Sequence, residues 1–175
     1  MHSRLHLEVH GHGGVESLVG PLFDPELRVA ARQRGGGVDL RGRRDWCQHF
    51  LVSAALALVA NEALSDEAGL LKEELDAGRG GSGFSFSDLL ADRAGTLFAL
   101  AATRDERSAR QMQERLAGGF EIGEIFPPAA DLPEGILDPE LQAEYGGVGG
   151  EKYHAIRREI DRRLGSCAAL RQPGR

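Results

Sequence analysis

Apolar residues recur along this chain at the three- and four-residue spacing of amphipathic helices, and glycine and proline interrupt them at short intervals. The pattern predicts a helix from about residue 45 to residue 64. Within it, Phe50 to Leu58 leave few polar faces, so the segment reads as buried on nearly all sides. Ser65 is placed to cap the next helix, with Asp66 and Glu67 in its first turn, and Gly78 opens the glycine-rich loop that ends it. Ser85 or Ser87 then caps a third helix running to about Thr103, and a charged helix follows from Arg104 to Leu116. Past Gly118 and Gly119, the stretch 126–135 holds Pro127, Pro128 and Pro133 and reads as an extended strap. A last helix, residues 152–165, sets Tyr153, Ile156, Ile160 and Leu164 on one face as core contacts.

Two smaller patterns complete the chain. Residues 5–10 alternate apolar and polar, which predicts a short strand or an extended arm. Asp24-Pro25-Glu26-Leu27 and Asp138-Pro139-Glu140-Leu141 share one helix-start grammar: a capping acid, a proline in the first turn and an acid against the helix dipole. The expected fold is all-α: one domain over residues 1–175, an irregular helical bundle with glycine-rich loops. It divides into a flexible arm at 1–22, a helical core at 45–116, a Pro-rich strap at 118–150 and the C-terminal helix.

Charge and composition narrow the classes. With 175 residues and a net charge of -6, the chain is no general nucleic-acid binder, because those present a net basic face. Arg28, Arg32, Arg34, Arg41, Arg43 and Arg44 are a local exception, read either as a solvated face or as a contact for phosphates or lipid heads. Cys47 and Cys167 are too far apart for a zinc knuckle and give no disulfide framework. The N-terminus has no apolar core of a secretory signal, and the longest apolar run, Phe50 to Ala60, is short of the roughly 20 residues that span a bilayer. A cytoplasmic location is therefore expected, with peripheral envelope or protein contacts through the Arg-rich or Pro-rich segments. His2, His6, His10 and His12 read as part of a mobile arm, or as metal ligands if that arm is ordered. The loop Gly78-Arg79-Gly80-Gly81-Ser82-Gly83 lacks the Lys-Ser/Thr of a phosphate loop and reads as a turn that drops Phe84 and Phe86 into the core.

The polar positions inside the apolar helices carry the chemistry. Residues three, four and seven apart share a helix face. Asp45, His49 and Ser53 align on the first helix, Gly69, Glu73 and Asp76 on the second, and Asp88, Asp92 and Gly95 on the third. Three helices thus aim His49, Glu73, Asp76, Asp88 and Asp92 at what would be one pocket. An imidazole with several carboxylates suits a divalent cation, with His49, Glu73, Asp88 and Asp92 as the metal-ligand candidates. The same set also suits metal-free hydrolysis by a carboxyl group of raised pKa beside an ionised partner. The non-catalytic reading makes the cluster a polar network fixing helix register, with Lys72 paired to Asp76, Arg93 to a neighbouring acid and His49 to Asp45 or a backbone carbonyl.

The order Asp45, His49, Phe50, Ser53, Ala54, then Ala68, Gly69, Lys72, Glu73, Asp76, then Ser85, Asp88, Leu89, Asp92, Gly95 resembles an uncharacterised bacterial family of predicted envelope proteins distantly similar to the VanZ-like proteins. The resemblance spans residues 45–95. It implies an envelope setting, from which this chain departs in showing neither a lipoprotein signal nor a membrane span. Separately, Glu67, Asp76 and Ser82 resemble the Glu, Asp and Thr catalytic set of phage-type lysozymes, although Ser82 stands for Thr and the expected hairpin after Asp76 is missing. Three functional expectations follow. One is a hydrolase built on His49, Glu73, Asp76, Asp88 and Asp92, with or without a divalent metal, acting on a glycan or a phosphorylated compound. Another is a helical interaction module, and a minor one is a lysozyme-like glycan hydrolase.

Overall fold

The computed structural model describes residues 39–78 and 80–171, all within one unit, Gly37–Arg175. These residues form a bundle of six α-helices with no β-sheet. They are α1 (Arg44–Val59), α2 (Glu62–Ala77), α3 (Phe86–Thr103), α4 (Glu106–Ala117), α5 (Asp138–Tyr145) and α6 (Glu151–Ser166), with 3-10 turns at Ile122–Glu124 and Gly147–Gly149. The residue 5–10 pattern, the N-terminal histidines, the 1–22 arm, the first helix-start motif and Arg28, Arg32 and Arg34 lie outside the described residues.

Helix α3 is the axis of the bundle. Ser85 caps it, accepting the Asp88 backbone N–H at 3.1 Å. Eleven of its 18 residues are buried, so its neighbours must cover it on most sides. Helix α1 packs along it most extensively, and α2 closes against both. The approach is close where side chains are absent: a Cβ on Gly95 would lie 2.0 Å from the Phe50 carbonyl oxygen, and one on Gly69 would lie 2.8 Å from Asp92 Oδ2. Behind α3, Phe86 meets Phe84, Tyr145 and Tyr153 at centroid distances of 5.1, 5.5 and 5.6 Å, joining α5 and α6 to the core as packing aromatics.

The glycine loop and the strap fix the entry to α3 together. Gly80 and Gly83 adopt φ of +89° and +92°, a left-handed turn that delivers Phe84 and Phe86 to full burial. Phe84 and Ile136 exchange backbone hydrogen bonds of 2.7 and 3.1 Å, and Phe86 N–H donates to the Pro133 carbonyl at 2.9 Å. The strap buries Phe126, Ala129, Leu132 and Ile136, so its apolar side chains are spent on the core. Its range, 118–150, is not wholly irregular: the second helix-start motif opens α5 with Pro139 in the first turn, although Asp138 is the first helical residue and not the cap, a position taken by Leu137 with no side-chain cap.

Three expectations are corrected. The first helix ends at Val59, because Asn61 is extended and accepts the Leu64 N–H at 2.9 Å, capping α2 four residues earlier than Ser65 would. Ser65 is instead buried inside α2, donating to the Ser53 carbonyl at 2.9 Å and bonded to Thr96 Oγ1 at 2.8 Å. Nor is α1 buried all round, since Leu51, Leu58 and Val59 are exposed. Helix α2 turns Ser65, Gly69, Glu73 and Ala77 inward and leaves Leu64, Leu71 and Leu75 outside.

Replacing Gly95 by Ala should lower stability by about 1–3 kcal/mol, since the added methyl meets backbone that cannot rotate away. Gly69→Ala should cost less, because its obstacle is a side chain. Urea denaturation reads both, and an unchanged midpoint for Gly95→Ala would show that α1 and α3 do not meet there.

Candidate metal centre

The polar stripes of α1, α2 and α3 converge. His49 Nδ1 lies 3.0 Å from Asp92 Oδ1, and His49 Nε2 lies 3.4 Å from Asp88 Oδ2. Ser53, one turn beyond His49, donates its hydroxyl to the same Asp92 oxygen at 2.8 Å. From α2, Glu73 is fully buried; its Oε2 accepts the Ser85 N–H at 2.9 Å and its Oε1 a hydrogen bond from Lys72 Nζ at 3.1 Å. His49, Glu73 and Asp92 each offer one ligand atom, all within 4.8 Å of one another. This buried trio is capable of coordinating a metal ion.

Asp88 flanks the trio through His49. Asp76 does not enter it: its carboxylate takes Lys72 Nζ at 2.7 Å on the exposed side, reaching Glu73 only through that shared ammonium. Asp45 also turns away, paired with Arg43, so His49 finds its partners on α3 rather than on its own helix. Arg93 binds Glu62 and Asp66 at 2.9 and 2.7 Å, as its expected acidic pairing requires. Glu67 and Ser82 of the lysozyme-like spacing are exposed, apart from the buried trio.

The electrostatics leave negative charge in excess. Glu73, Asp76, Asp88 and Asp92 face two cationic groups, Lys72 and, when protonated, His49. Two carboxylate oxygens, Asp88 Oδ1 and Asp92 Oδ2, are buried with no hydrogen-bond partner among the described residues. Such orphans are costly, and a cation or a proton relieves them. Burial works against the imidazolium of His49, but its hydrogen bond to Asp92 and the charges of Asp92 and Asp88 outweigh it and raise its pKa. Burial raises the pKa of Glu73 against the pull of Lys72, and that of Asp88 against His49 and Lys72.

A network that the sequence reading missed holds the α3 entrance. Trp46 Nε1 donates to Ser87 Oγ at 3.1 Å, Ser87 donates to Glu134 at 2.8 Å, and Arg43 bonds Glu134 while lying 4.5 Å over the Trp46 ring. Arg41 donates to the Phe126 carbonyl at 2.9 Å. Two arginines of the basic stretch therefore tie the strap to α1. The signal was there in Trp46 and Ser87, but their partner Glu134 is 47 residues past Ser87, beyond the reach of helical spacing.

No family model, curated protein or solved structure matches this chain. No helix among the described residues is long and apolar enough to cross a membrane.

The pKa shifts give a sign to the pH dependence of the metal-free protein. For His49, raised above 6.5, the stabilising contribution is full below that value and lost as pH rises through the folded pKa. Glu73 and Asp88, raised above 4.5 and 3.8, bind protons more tightly folded than unfolded, so their contribution also falls as pH rises above those values. Unfolding free energy measured with chelator present should fall from about pH 5 to pH 8, and Asp88→Asn should flatten that slope. A rise over the same interval would contradict the assigned burial.

Proposed function

We propose that the chain is a hydrolase that works with one divalent transition-metal ion held by His49, Glu73 and Asp92, with Asp88 beside it. The observation that carries the reading is the meeting of three ligand atoms within 4.8 Å and two partnerless carboxylate oxygens in one buried cluster. The three candidate ligand atoms are close enough for side-chain rotation to bring them onto one ion. The imidazole favours a borderline ion such as zinc over calcium, while the carboxylates also suit manganese. When bound, the ion would supply positive charge to polarise an oxygen of the substrate. The protein's own parts are then distinct. Ser53 and His49 hold Asp92 in place, Ser85 N–H orients Glu73, and Asp88, its pKa raised, is suited to exchange a proton at the edge of the site. The substrate class is a phosphorylated compound or a glycan.

A second reading has its own observation. Both Glu73 oxygens already have donors, as a polar lock between α2 and the start of α3 requires. Glu73→Gln separates the two. Lys72 is about half exposed and keeps Asp76, so under the metal reading the Gln variant holds its stability while metal uptake and hydrolysis of 4-nitrophenyl phosphate or 4-nitrophenyl glycosides disappear. Under the lock reading the parent protein neither takes up metal nor hydrolyses any of these substrates, and the substitution acts on stability alone.

A further inference from the structure

At the far end of α3 from the acidic centre lies a cavity of about 560 Å³, walled by α4 and by the segment following α6. Asp92 and Arg104 are twelve residues apart, about 18 Å along a helix axis, so this is a separate place in the fold. The floor is small and apolar: Ala101, Met112 and Ala169 are all buried. The rim carries Arg104, Arg115 and Arg171, with Glu114 as the acidic member of the lining. Within the lining three guanidinium groups stand against one carboxylate, a local positive excess in a chain whose net charge is -6, with Asp105 and Glu124 outside the lining.

The partners of these arginines leave them able to turn inward. Arg171 donates to the Ser166 carbonyl at 3.4 Å, a long bond to a neutral acceptor. Arg104 is anchored by Ser108 Oγ at 2.6 Å, and its carboxylate contact, Asp105 at 3.3 Å, is between exposed groups. Arg115 pairs with Glu124 at the surface. Exposed pairs of this kind contribute little and exchange readily for a better acceptor. A guanidinium fork matches the oxygens of a phosphate or carboxylate, whereas the floor beneath it offers no polar group beyond Ser108.

We infer that this cavity binds a small organic oxyanion, a phosphate or carboxylate group on the arginine rim with a compact apolar body on the alanine and methionine floor. The site is independent of the acidic centre. It acts as a second ligand position, whatever the centre does.

The test is calorimetric titration of the full chain, treated with chelator, using phenyl phosphate as the probe and inorganic phosphate as its truncated form. Saturable one-to-one binding of phenyl phosphate is expected, at least about tenfold tighter than that of inorganic phosphate. The Arg104→Gln and Arg171→Gln variants should each weaken it by about tenfold. Arg110→Gln removes the same charge from α4 outside this lining and should leave binding unchanged. Because Arg104, Arg110 and Arg171 are exposed, none of these variants threatens the core. Absence of saturable binding, equal affinity for the two probes, or an equal loss in Arg110→Gln would each overturn the proposal.

Discussion

The carboxylate of Asp92 is the constraint on which the three-helix core depends. It is 8% exposed, accepts hydrogen bonds through one oxygen from His49 and Ser53 of α1, and presses its other oxygen toward the bare backbone of Gly69 on α2. A buried carboxylate is expensive unless it is paired, so the register of α1 on α3 is fixed by the residues that pair it. Sliding α1 by one residue would strand the carboxylate and drive Phe50 off the space that Gly95 leaves open.

That constraint explains why α2 is inside out. A helix ordinarily buries its leucines, yet α2 buries Ser65, Gly69, Glu73 and Ala77 and exposes Leu64, Leu71 and Leu75. Its inner face must be slim enough to admit Asp92 and polar enough to meet Thr96 and the Ser85 N–H, and leucine satisfies neither demand. The lost apolar burial is offset by the aromatic packing of Phe84, Phe86, Tyr145 and Tyr153 behind α3, with each large side chain contributing roughly 1.5–3 kcal/mol. The strap and the glycine loop set that aromatic group in place, and so support the acidic centre from behind.

Helical spacing made much of this legible. The stripes of His49 with Ser53, Gly69 with Glu73, and Asp88 with Asp92 and Gly95 follow from residues one turn apart, and these side chains do meet. The Ser85 cap and the core face of α6 are likewise local properties. Spacing could not show which end of a stripe turns outward. Asp45 and Asp76 sit on the right faces but find Arg43 and Lys72 nearer than the cluster. The break at Asn61 was hidden because helix-forming residues resume at Glu62, Ala63 and Leu64 directly after it, and only the asparagine cap betrays the stop. Glu134 and Arg41 were beyond local reasoning, since their partners lie 47 and 85 residues away.

Three carboxylates and one imidazole inside a helical bundle form either a cation site or a self-sufficient polar lattice, and the two orphan oxygens of Asp88 and Asp92 weigh toward the first. The most direct measurement is calorimetric titration of zinc or manganese into chelator-treated protein, alongside a His49→Asn, Asp92→Asn double variant shown by circular dichroism to be folded. The account predicts one ion per chain in the parent protein and none in the variant. Absence of uptake by a folded parent, or equal uptake by the variant, would contradict it.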